Sequence, residues 1–411
     1  MKKTRFFYEI NYFLIVLLGW LLLFHKAAEV NRAREKEGWK TWTGCVLGIA
    51  GAGGIESGMA VGMQNTGSAE ATENDDLPEI AESGDERLST LSGKIRVLLM
   101  DSGYQSYYHS SVTLNLNGAD YEYTPDSPEL SQGLLLINEL PLETYLEGVV
   151  PSEMPASYEG QALMAQAVCA RTYAVCQMEE GSLQEEYGAD VDDSVNFQVY
   201  GNIAPTDKTS QAVRETSGQI MCQDGKPVTA YYFSTSSGRT STDEIWGGTS
   251  SSYLKSVECE FDQNAPWSSW KVTIPWTVLE ERTRNLTGSE SLESIQVVKK
   301  SESGAVTGLQ ITTEKEAVQL EGEYEIREFL SPQGQTITEK DGSTVTGGSL
   351  LPSSYFQLKA NKGGCVEITG GGFGHGVGMS QTAANEMAKE GYSWQEILEY
   401  FFRDITLDRY E

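Results

Sequence analysis

The stretch GGGFGHGVG, residues 370–378, places six glycines within nine residues around one histidine, His375. Glycine loses more backbone freedom on folding than any other residue, so such a run is costly in a folded protein. It is expected only where the chain turns sharply or where another group approaches the backbone closely. The run therefore predicts a tight loop at a close contact.

The composition limits the class of protein. A chain of 411 residues holds one large or two ordinary domains. Its formal net charge of −29 argues against a nucleic-acid partner, because no surplus of basic residues exists to neutralise phosphates. The glycine run does not predict a nucleotide-binding loop either, since no Lys-Ser/Thr pair follows it and the GxGxxG spacing is absent.

The amino terminus predicts a membrane anchor. Lys2, Lys3 and Arg5 precede an apolar stretch over residues 6–24, which is long enough to span a bilayer. A cleaved signal peptide is the alternative, but His25 and Lys26 follow where small residues would mark a cleavage site. We predict a cytoplasmic tip and a single-pass anchor in the cell membrane over residues 1–25, with the folded part outside the cytoplasm.

Residues 26–92 are predicted to form a flexible acidic linker. Between Gly44 and Met63 the chain is mildly apolar, but its many glycines favour a flexible tether over a second membrane span. Residues 70–87 are rich in acids and poor in bases, which is typical of a solvated linker.

Residues 93–411 are predicted to form an α+β domain of mixed helices and short strands that form a cleft. Strands are expected over IRVLLM and SVTLNL, and the segment LLLINELPLETYLEGVV predicts a strand followed by a short helix that ends at Pro151. A longer alanine-rich helix with Ser157 as its N-cap should be central and buried. We further expect a β-rich insert over about residues 271–357, a helix over Ser380–Lys389 and a last helix that begins at the capping box SWQE.

The segment VVPSEMPAS places Glu153 between two prolines and beside apolar side chains. Most glutamates lie on solvated surfaces, but rigid apolar surroundings would raise the pKa of this carboxyl, as a general acid near neutrality requires. We therefore expect Glu153 to be a general acid. Glu147 and Glu159 are weaker candidates for a second acid because each lies in a locally helical stretch.

The six cysteines have neither a CxxC pair nor a spacing that predicts a zinc site. A catalytic thiol beside His375 is a weak hypothesis, since Cys169 and Cys176 fall within the alanine-rich helix, where thiols usually pack as core residues. Disulfides outside the cytoplasm stay open, because their pairing cannot be deduced from sequence.

Six blocks, in order from about Ile95 to the carboxyl terminus, resemble the family of stage II sporulation protein D and the amidase enhancers. The blocks are INELPLETYLEGVVPSEMPASYEGQALMAQAVCARTYA, FQVYGN, AVRETSGQIM, AYYFSTSSGRTSTDEIWGG, YLKSV and GGGFGHGVGMSQTAA. The resemblance implies a lytic transglycosylase, anchored in the mother-cell membrane, that cleaves denuded peptidoglycan strands during engulfment of the forespore. It also implies two partners: stage II sporulation protein P, which is an amidase, and stage II sporulation protein M. A non-catalytic glycan-binding enhancer of a cell-wall amidase is the alternative.

The resemblance places the family's catalytic glutamate at Glu153. A lytic transglycosylase needs a single acid, whereas an ordinary glycosidase needs two. The glycines are then expected to let the backbone approach a sugar chain or Glu153, and the helix from Ser380 to present free N–H groups to an oxygen-rich glycan. The residues expected to contact substrate are Arg171, Tyr173, Gln198, Tyr200, Ser234, Thr235, Ser237, His375, Gly376, Ser380 and Gln381.

Structural roles are the alternative for several of these residues. Arg171, Tyr173 and His375 could each serve the fold, and the three hydroxyls near residue 235 could be ordinary turn residues. Some relatives bind zinc through a His and a Cys near the block YFSTSSG, but here Phe233 and hydroxyl residues occupy those positions. We therefore expect neither a metal nor a cofactor.

Overall fold

The structure is a computed structural model, and it describes residues 45–51, 54–55, 93–116, 119–124, 133–247 and 249–410. The predicted anchor over residues 1–25 and most of the predicted linker lie outside the described residues. Within the part of the chain that is described, no helix is long and apolar enough to cross a membrane.

Helices and strands are mixed along the described chain. The strands are β1 (Cys45–Gly51), β2 (Gly54–Ile55), β3 (Lys94–Leu99), β4 (Tyr108–His109), β5 (Val112–Leu116), β6 (Ala119–Tyr123), β7 (Leu134–Pro141), β8 (Val191–Asp192), β9 (Gln219–Gln223), β10 (Lys226–Pro227), β11 (Tyr232–Phe233), β12 (Trp270–Pro275), β13 (Leu292–Lys300), β14 (Val306–Thr313), β15 (Ala317–Glu321), β16 (Thr336–Glu339), β17 (Thr344–Thr346), β18 (Phe356–Ala360), β19 (Cys365–Gly370), β20 (Met379–Ser380) and β21 (Thr406–Arg409). The helices are α1 (Leu142–Glu153), α2 (Gly160–Glu180), α3 (Gln184–Tyr187), α4 (Asp207–Glu215), α5 (Trp276–Thr287), α6 (Glu323–Phe329), α7 (Gln381–Lys389) and α8 (Trp394–Phe401).

The described residues divide into two compact units, which we name after Glu153 and His375. The Glu153 unit comprises the described residues of Trp39–Pro155, Ala170–Ile220 and Asp408–Glu411. The His375 unit comprises those of Ala156–Cys169 and Met221–Leu407. Each unit mixes helices and strands, so the predicted α+β class is confirmed, while the predicted cleft stays a prediction.

A six-stranded sheet is the largest sheet of the Glu153 unit. Its strand order is β2-β1-β7-β3-β8, and β4 also pairs with β7. Strands β7 and β3 are antiparallel, and their side chains form a core that includes Ile95, Leu98, Leu134 and Ile137. The strand predicted over IRVLLM is therefore confirmed as the buried strand β3.

Strand β1 lies within the range that the sequence predicts to be a flexible linker. It pairs antiparallel with β7 along Cys45–Ile49, and its end pairs with β2. The linker prediction is wrong for these residues. The apolar run CVLGIA provides a strand that can extend a sheet edge, although its glycines favoured a tether.

Helix α1 follows β7 directly. Its apolar face, formed by Leu142, Tyr145, Leu146 and Val149, is fully buried as the helical spacing predicts. The expected end at Pro151 is wrong by two residues, because the helix continues to Glu153. A proline in the last turn removes one intrahelical hydrogen bond, and the Met154 N–H still donates to Val150 O at 3.0 Å.

Helix α2 is the central buried helix that the alanine-rich segment predicts. Its alanines have no exposed surface, and Cys169 is equally buried. It begins at Gly160, later than the expected cap at Ser157 would place it. The buried alanines of this helix are Ala162, Ala165, Ala167, Ala170 and Ala174.

The insert of the His375 unit contains two sheets. One has the strand order β17-β16-β12-β19-β18 and the other β13-β14-β15. Strand β12 pairs with β19 from Trp270 to Pro275, so the insert extends to Gly370 rather than to about residue 357. Alternate residues of β12 point into its core, as Trp270 and Ile274 show.

The insert is not only β-rich, because α5 and α6 belong to it. Trp276, Leu279 and Thr283 form the buried face of α5 at helical spacing. The short apolar segments in this range favoured the prediction of a β-rich insert, and the helix was missed for that reason.

The last two helices of the His375 unit are confirmed. Helix α7 begins after Ser380, whose hydroxyl accepts from the Ala383 N–H. Helix α8 begins at the predicted capping box, in which Ser393 and Glu396 satisfy each other's backbone N–H groups. Its face is buried as predicted, at Ile397, Leu398, Phe401 and Phe402.

Candidate active site

Glu153 is the last residue of α1, and the chain becomes extended at Met154. This position fixes the direction of its side chain, since the backbone before it is helical and that after it is not. The residue is 6% exposed and therefore nearly enclosed. The prediction that the Glu153 carboxyl lies in enclosed surroundings is therefore confirmed.

The block FQVYGN, residues 197–202, lies beside Glu153. The Val199 N–H donates a hydrogen bond of 2.7 Å to Glu153 Oε1. The next residues reach α1 as well, because the Asn202 and Ile203 N–H groups donate to Ser152 Oγ at 3.1 and 3.2 Å. Contacts between these two blocks, nearly fifty residues apart in sequence, build the site around Glu153.

Two tyrosines pack together in the same site. The rings of Tyr145 and Tyr200 stack with centroids 5.1 Å apart. The Tyr145 hydroxyl donates to Gln198 Oε1 at 3.2 Å, and Asn138 Nδ2 donates to Tyr200 Oη at 3.0 Å. Tyr145 and Gln198 are fully buried, whereas Tyr200 is half-buried. Of these residues, Tyr200 is the one with surface to offer a ligand.

Burial dominates the protonation of these tyrosines. It raises the pKa of Tyr145 well above its ordinary value, and the charge of Glu153 raises it further. Burial also raises the pKa of Tyr200 to about 12, although the hydrogen bond from Asn138 acts in the opposite direction. Both hydroxyls are neutral near pH 7 and can donate hydrogen bonds. Tyr173, a half-buried residue of α2, adds to the shift of Tyr145.

Two adjacent aspartates of this unit were missed by the sequence analysis. Asp192 accepts hydrogen bonds from the Tyr107 hydroxyl at 2.8 Å and from Ser194. Asp193 accepts from the Met100 N–H at 3.0 Å, and burial, with a smaller contribution from the charge of Asp192, raises its pKa to about 7. The signal was the acidic pair in VDDS, which resembles a solvated turn in sequence.

Arg171 lies in the core of the Glu153 unit and has no exposed surface. Its Nε and Nη2 each donate to a carboxylate oxygen of Glu143 at 2.7 Å, and Nη2 also reaches Val213 O at 3.3 Å. This geometry supports the structural alternative for Arg171. A guanidinium enclosed in this way has no surface with which to touch a glycan.

The glycine loop of the His375 unit packs against protein. A Cβ on Gly376 would lie 2.8 Å from Tyr355 Cε2, and one on Gly374 would lie 2.8 Å from Phe233 Cβ. At Gly378 it would overlap the carbonyl oxygen of Tyr231. All three glycines also have positive φ, which L side chains rarely adopt. The predicted close contact is confirmed, but the neighbour is this unit's own backbone and aromatic rings rather than a sugar.

His375 uses both ring nitrogens inside this loop. Nδ1 accepts from the Val377 N–H at 3.0 Å, so Nε2 carries the proton and donates to Tyr232 O at 3.1 Å. The rings of Phe233 and Trp246 lie against the imidazole. Burial, followed by the charge of Arg327, lowers the pKa of His375 to about 3. The geometry supports the structural alternative, a neutral imidazole that holds the loop.

The hydroxyl residues near position 235 divide into partly exposed and buried ones. Ser234 and Ser237 are half-buried, whereas Thr235 is 3% exposed and shares a hydrogen bond with Thr382. Ser380 is fully buried, and its hydroxyl donates to Asp262 Oδ1 at 3.1 Å. Ser234 and Ser237 therefore keep the surface that a ligand contact needs.

The start of α7 is occupied by protein groups. The Thr382 N–H donates to Ser234 O at 2.9 Å, and Ser380 Oγ caps the Ala383 N–H. Gln381 is 4% exposed and donates to Gln166 Oε1 at 3.2 Å. The expectation that this helix presents free N–H groups to a glycan is therefore wrong for residues 382 and 383.

Comparison with known proteins identifies the family. A family model described as Stage II sporulation protein matches residues 131–222, which include Glu153 and the block FQVYGN. Stage II sporulation protein D of Bacillus subtilis is 35% identical over 287 residues, which cover 66% of this chain and 75% of that protein. The chain belongs to the stage II sporulation protein D family. It is thus a member of a sporulation family, as its sequence blocks predict.

Two further relatives broaden the comparison. Stage II sporulation protein D of Bacillus amyloliquefaciens is 32% identical over 284 residues, covering 66% of this chain and 75% of that protein. The amidase enhancer of Bacillus subtilis is 28% identical over 301 residues, covering 64% of this chain and 40% of that protein.

A second family model, described as a domain of unknown function, matches residues 257–378. This range contains the insert and all six glycines of the loop. The sporulation protein model thus covers the surroundings of Glu153, and the second model covers the two sheets of the insert.

The described residues offer no cluster of side chains for a metal ion. No three His, Cys, Asp or Glu side chains among them lie close enough together to hold a metal ion. Cys169, Cys259 and Cys365 form no disulfide bond within the described part of the chain. Burial raises the pKa of Cys169 and Cys259 well above the ordinary range, so neither is a reactive thiolate near neutrality.

Proposed function

We propose that this protein is a peptidoglycan lytic transglycosylase in which Glu153 serves as general acid and then as general base. The setting of the carboxyl supports this most directly. Burial favours the neutral form of a carboxyl, whereas a hydrogen bond from the Val199 N–H favours its charged form. A group that gives up a proton and then takes one back needs both forms within reach.

The proposed reaction has two proton transfers and no water. Protonated Glu153 donates its proton to the glycosidic oxygen as the bond from that oxygen to the anomeric carbon of the muramic acid breaks. The carboxylate then takes the proton of the muramic acid 6-hydroxyl, whose oxygen attacks the anomeric carbon. The product is a 1,6-anhydro sugar, and Glu153 regains its proton.

Partly exposed residues are the proposed substrate contacts. In the Glu153 unit these are Tyr173 and Tyr200, whose ring faces can pack against sugar rings. In the His375 unit they are Ser234 and Ser237, whose hydroxyls can donate to or accept from sugar hydroxyls. The other residues that were expected to contact substrate have supporting roles in this proposal. The loop is held by His375 and Gly376. The residues that contact substrate are held in place by Gln198, Thr235, Ser380 and Gln381.

From the family resemblance we also infer the substrate, the location and the partners of this protein. The substrate is denuded peptidoglycan, cleaved during engulfment of the forespore. Residues 1–25 anchor the protein in the mother-cell membrane. Its partners are the stage II sporulation proteins P and M.

A second candidate function is a non-catalytic enhancer of a cell-wall amidase. The 28% identity to a protein named amidase enhancer favours it. The same exposed residues would then bind glycan without cleaving it.

Mass spectrometry of denuded glycan strands after incubation with the protein separates these functions. We expect 1,6-anhydro-muramyl ends from the wild type and none from Glu153→Gln, which should still bind strands. Glu147→Gln is the matched control, because Glu147 lies on the same helix but pairs with Arg214 at 3.5 Å. It should cleave like the wild type.

The other outcomes also decide. Equal product from Glu153→Gln would remove Glu153 from the mechanism, and reducing ends in place of anhydro ends would make the protein a hydrolase. Glycan binding without cleavage, together with faster release of peptides by a purified amidase, would establish the enhancer instead.

A further inference from the structure

We propose that Ser152 is a positioning residue for Glu153. Its hydroxyl holds residues 199–203 against α1, so that the Val199 amide reaches the Glu153 carboxylate. The inference rests on the proposed role of Glu153. It adds the group that controls how easily the Glu153 carboxyl ionises.

The Ser152 hydroxyl uses its full hydrogen-bonding capacity. It donates to Gly148 O at 2.7 Å and accepts from the N–H groups of Asn202 and Ile203 at 3.1 and 3.2 Å. Ser152 is 2% exposed, so water does not replace these partners. A helical serine commonly donates to the carbonyl four residues earlier. The two hydrogen bonds that Ser152 accepts are different, because their N–H donors belong to a segment about fifty residues away and not to the helix.

Gly148 provides a second attachment for the same segment. Its carbonyl oxygen also accepts from the Gly201 N–H at 3.2 Å. A Cβ at this position would come within 2.7 Å of Tyr200 Cε2. The segment therefore lies directly against the last two turns of α1, and both Gly148 and Ser152 are needed for that approach.

The attachment acts on Glu153 through Val199. The anchored amides of Asn202 and Ile203 lie three and four residues after Val199, and Ser152 is the chain neighbour of Glu153. Without the Ser152 hydroxyl, two buried N–H groups lose their acceptor, and the segment must move to find another. The hydrogen bond from the Val199 N–H to Glu153 then lengthens and weakens, and the charged carboxylate loses part of the stabilisation that this donor gives it.

The test is an NMR titration of the full chain labelled with ¹⁵N-valine. The Val199 amide shift should follow the ionisation of Glu153, and Glu153→Gln identifies that response by removing it. We expect Ser152→Ala and Gly148→Ala to move the ionisation midpoint upward by about half a pH unit or more. Ser152→Thr keeps the hydroxyl and should restore the wild-type midpoint.

Thr216→Val is the matched control. Thr216 is fully buried, and its hydroxyl donates to Ala212 O at 2.8 Å, so the variant loses a comparable buried hydrogen bond elsewhere in the unit. It should melt earlier than the wild type with an unchanged Val199 titration. Where the proposed activity is present, the alkaline limb of the pH–kcat profile should move with the NMR midpoint, because the reaction begins from protonated Glu153, while the KM for strands stays within about twofold.

Other results would overturn the inference. An unchanged midpoint in Ser152→Ala would show that the hydroxyl only serves stability, and so would a shift in Gly148→Ala alone. A Val199 amide that ignores Glu153 in the wild type would remove the link altogether. A midpoint shift with no anhydro product from the wild type would instead leave Ser152 as a positioning residue and reject the transglycosylase.

Discussion

Arg171 and Glu143 form an ion pair that is completely buried in the Glu153 unit. Two guanidinium nitrogens each lie 2.7 Å from a different carboxylate oxygen, and the Gly218 N–H donates to the same carboxylate at 3.1 Å. The pair joins α1 to α2, the next helix along the chain, through residues that are 28 positions apart in sequence. Arg171 therefore has a structural partner in Glu143 and no surface for a ligand.

Removing one charge of this pair should be strongly destabilising. In Glu143→Gln the Arg171 charge stays buried without a counter-charge, and such losses typically cost about 3–5 kcal/mol in the free energy of unfolding. Denaturant unfolding of the full chain measures it. The control is Arg284→Ala, which breaks an exposed pair with Glu290 and should cost no more than about 1 kcal/mol. Equal effects of the two variants would contradict the importance of the buried pair.

The glycine loop offers a graded test of close packing. Gly378→Ala would drive a Cβ into the Tyr231 carbonyl, and Gly376→Ala would press one against the Tyr355 ring. Gly342 has nearly the same φ as Gly376, +85° against +84°, but open space around it. We expect Gly342→Ala to cost about 1 kcal/mol for the backbone alone and Gly378→Ala at least about 2 kcal/mol more.

Thermal and denaturant unfolding give the ranking of these variants. The order should be Gly378→Ala, then Gly376→Ala, then Gly342→Ala, because a carbonyl moves less easily than the edge of a ring. If all three variants lose the same free energy of unfolding, positive φ alone would explain why glycine is needed at these positions, and close packing would not contribute.

Local signals in the sequence predicted much of the fold. Three features depend only on residues that are close in sequence. They are the buried face of α1, the strand β3 and the capping box of α8. Their patterns are therefore visible in the sequence. The enclosed position of Glu153 was predictable in the same way, since its prolines and apolar neighbours are adjacent in sequence, whereas its role as general acid stays a prediction. The side chain is indeed enclosed.

Contacts between distant residues could not be predicted in this way. Nothing near Gly378 indicates that Tyr231 occupies the space beside it, and nothing near Arg171 indicates Glu143. Thr235 and Ser380 were both expected to contact substrate, because the partners of their buried hydroxyls, Thr382 and Asp262, are brought to them only by folding.

His375 should make the stability of the protein depend on pH. Its pKa is about 3 when folded and about 6.5 in an unfolded chain, so the unfolded state binds the extra proton between these values. Stability is therefore fully present above about pH 6.5 and falls as the pH decreases, by up to about 1.4 kcal/mol per pH unit for one proton. The difference in unfolding free energy between pH 7.5 and pH 5 should be smaller in His375→Asn than in the wild type. The same difference in both proteins would mean that His375 is protonated in the folded state.

Asp193 should produce a pH dependence of the opposite sign. Burial raises its pKa to about 7, against about 3.9 in an unfolded chain, so the folded state holds a proton that the unfolded state has lost between these values. This contribution to stability is lost as the pH rises towards 7. Asp193→Asn keeps an oxygen for the Met100 N–H and carries no charge, so it should resemble the wild type near pH 4 and be more stable at pH 8. The control is Asp341→Asn, because hydrogen bonds from Ser343 lower the pKa of that exposed carboxyl and its removal should bring no gain at pH 8. Denaturant unfolding at both pH values measures the difference, and an Asp193→Asn protein that is less stable than the wild type at pH 8 would show that the charged carboxylate is stabilised where it lies.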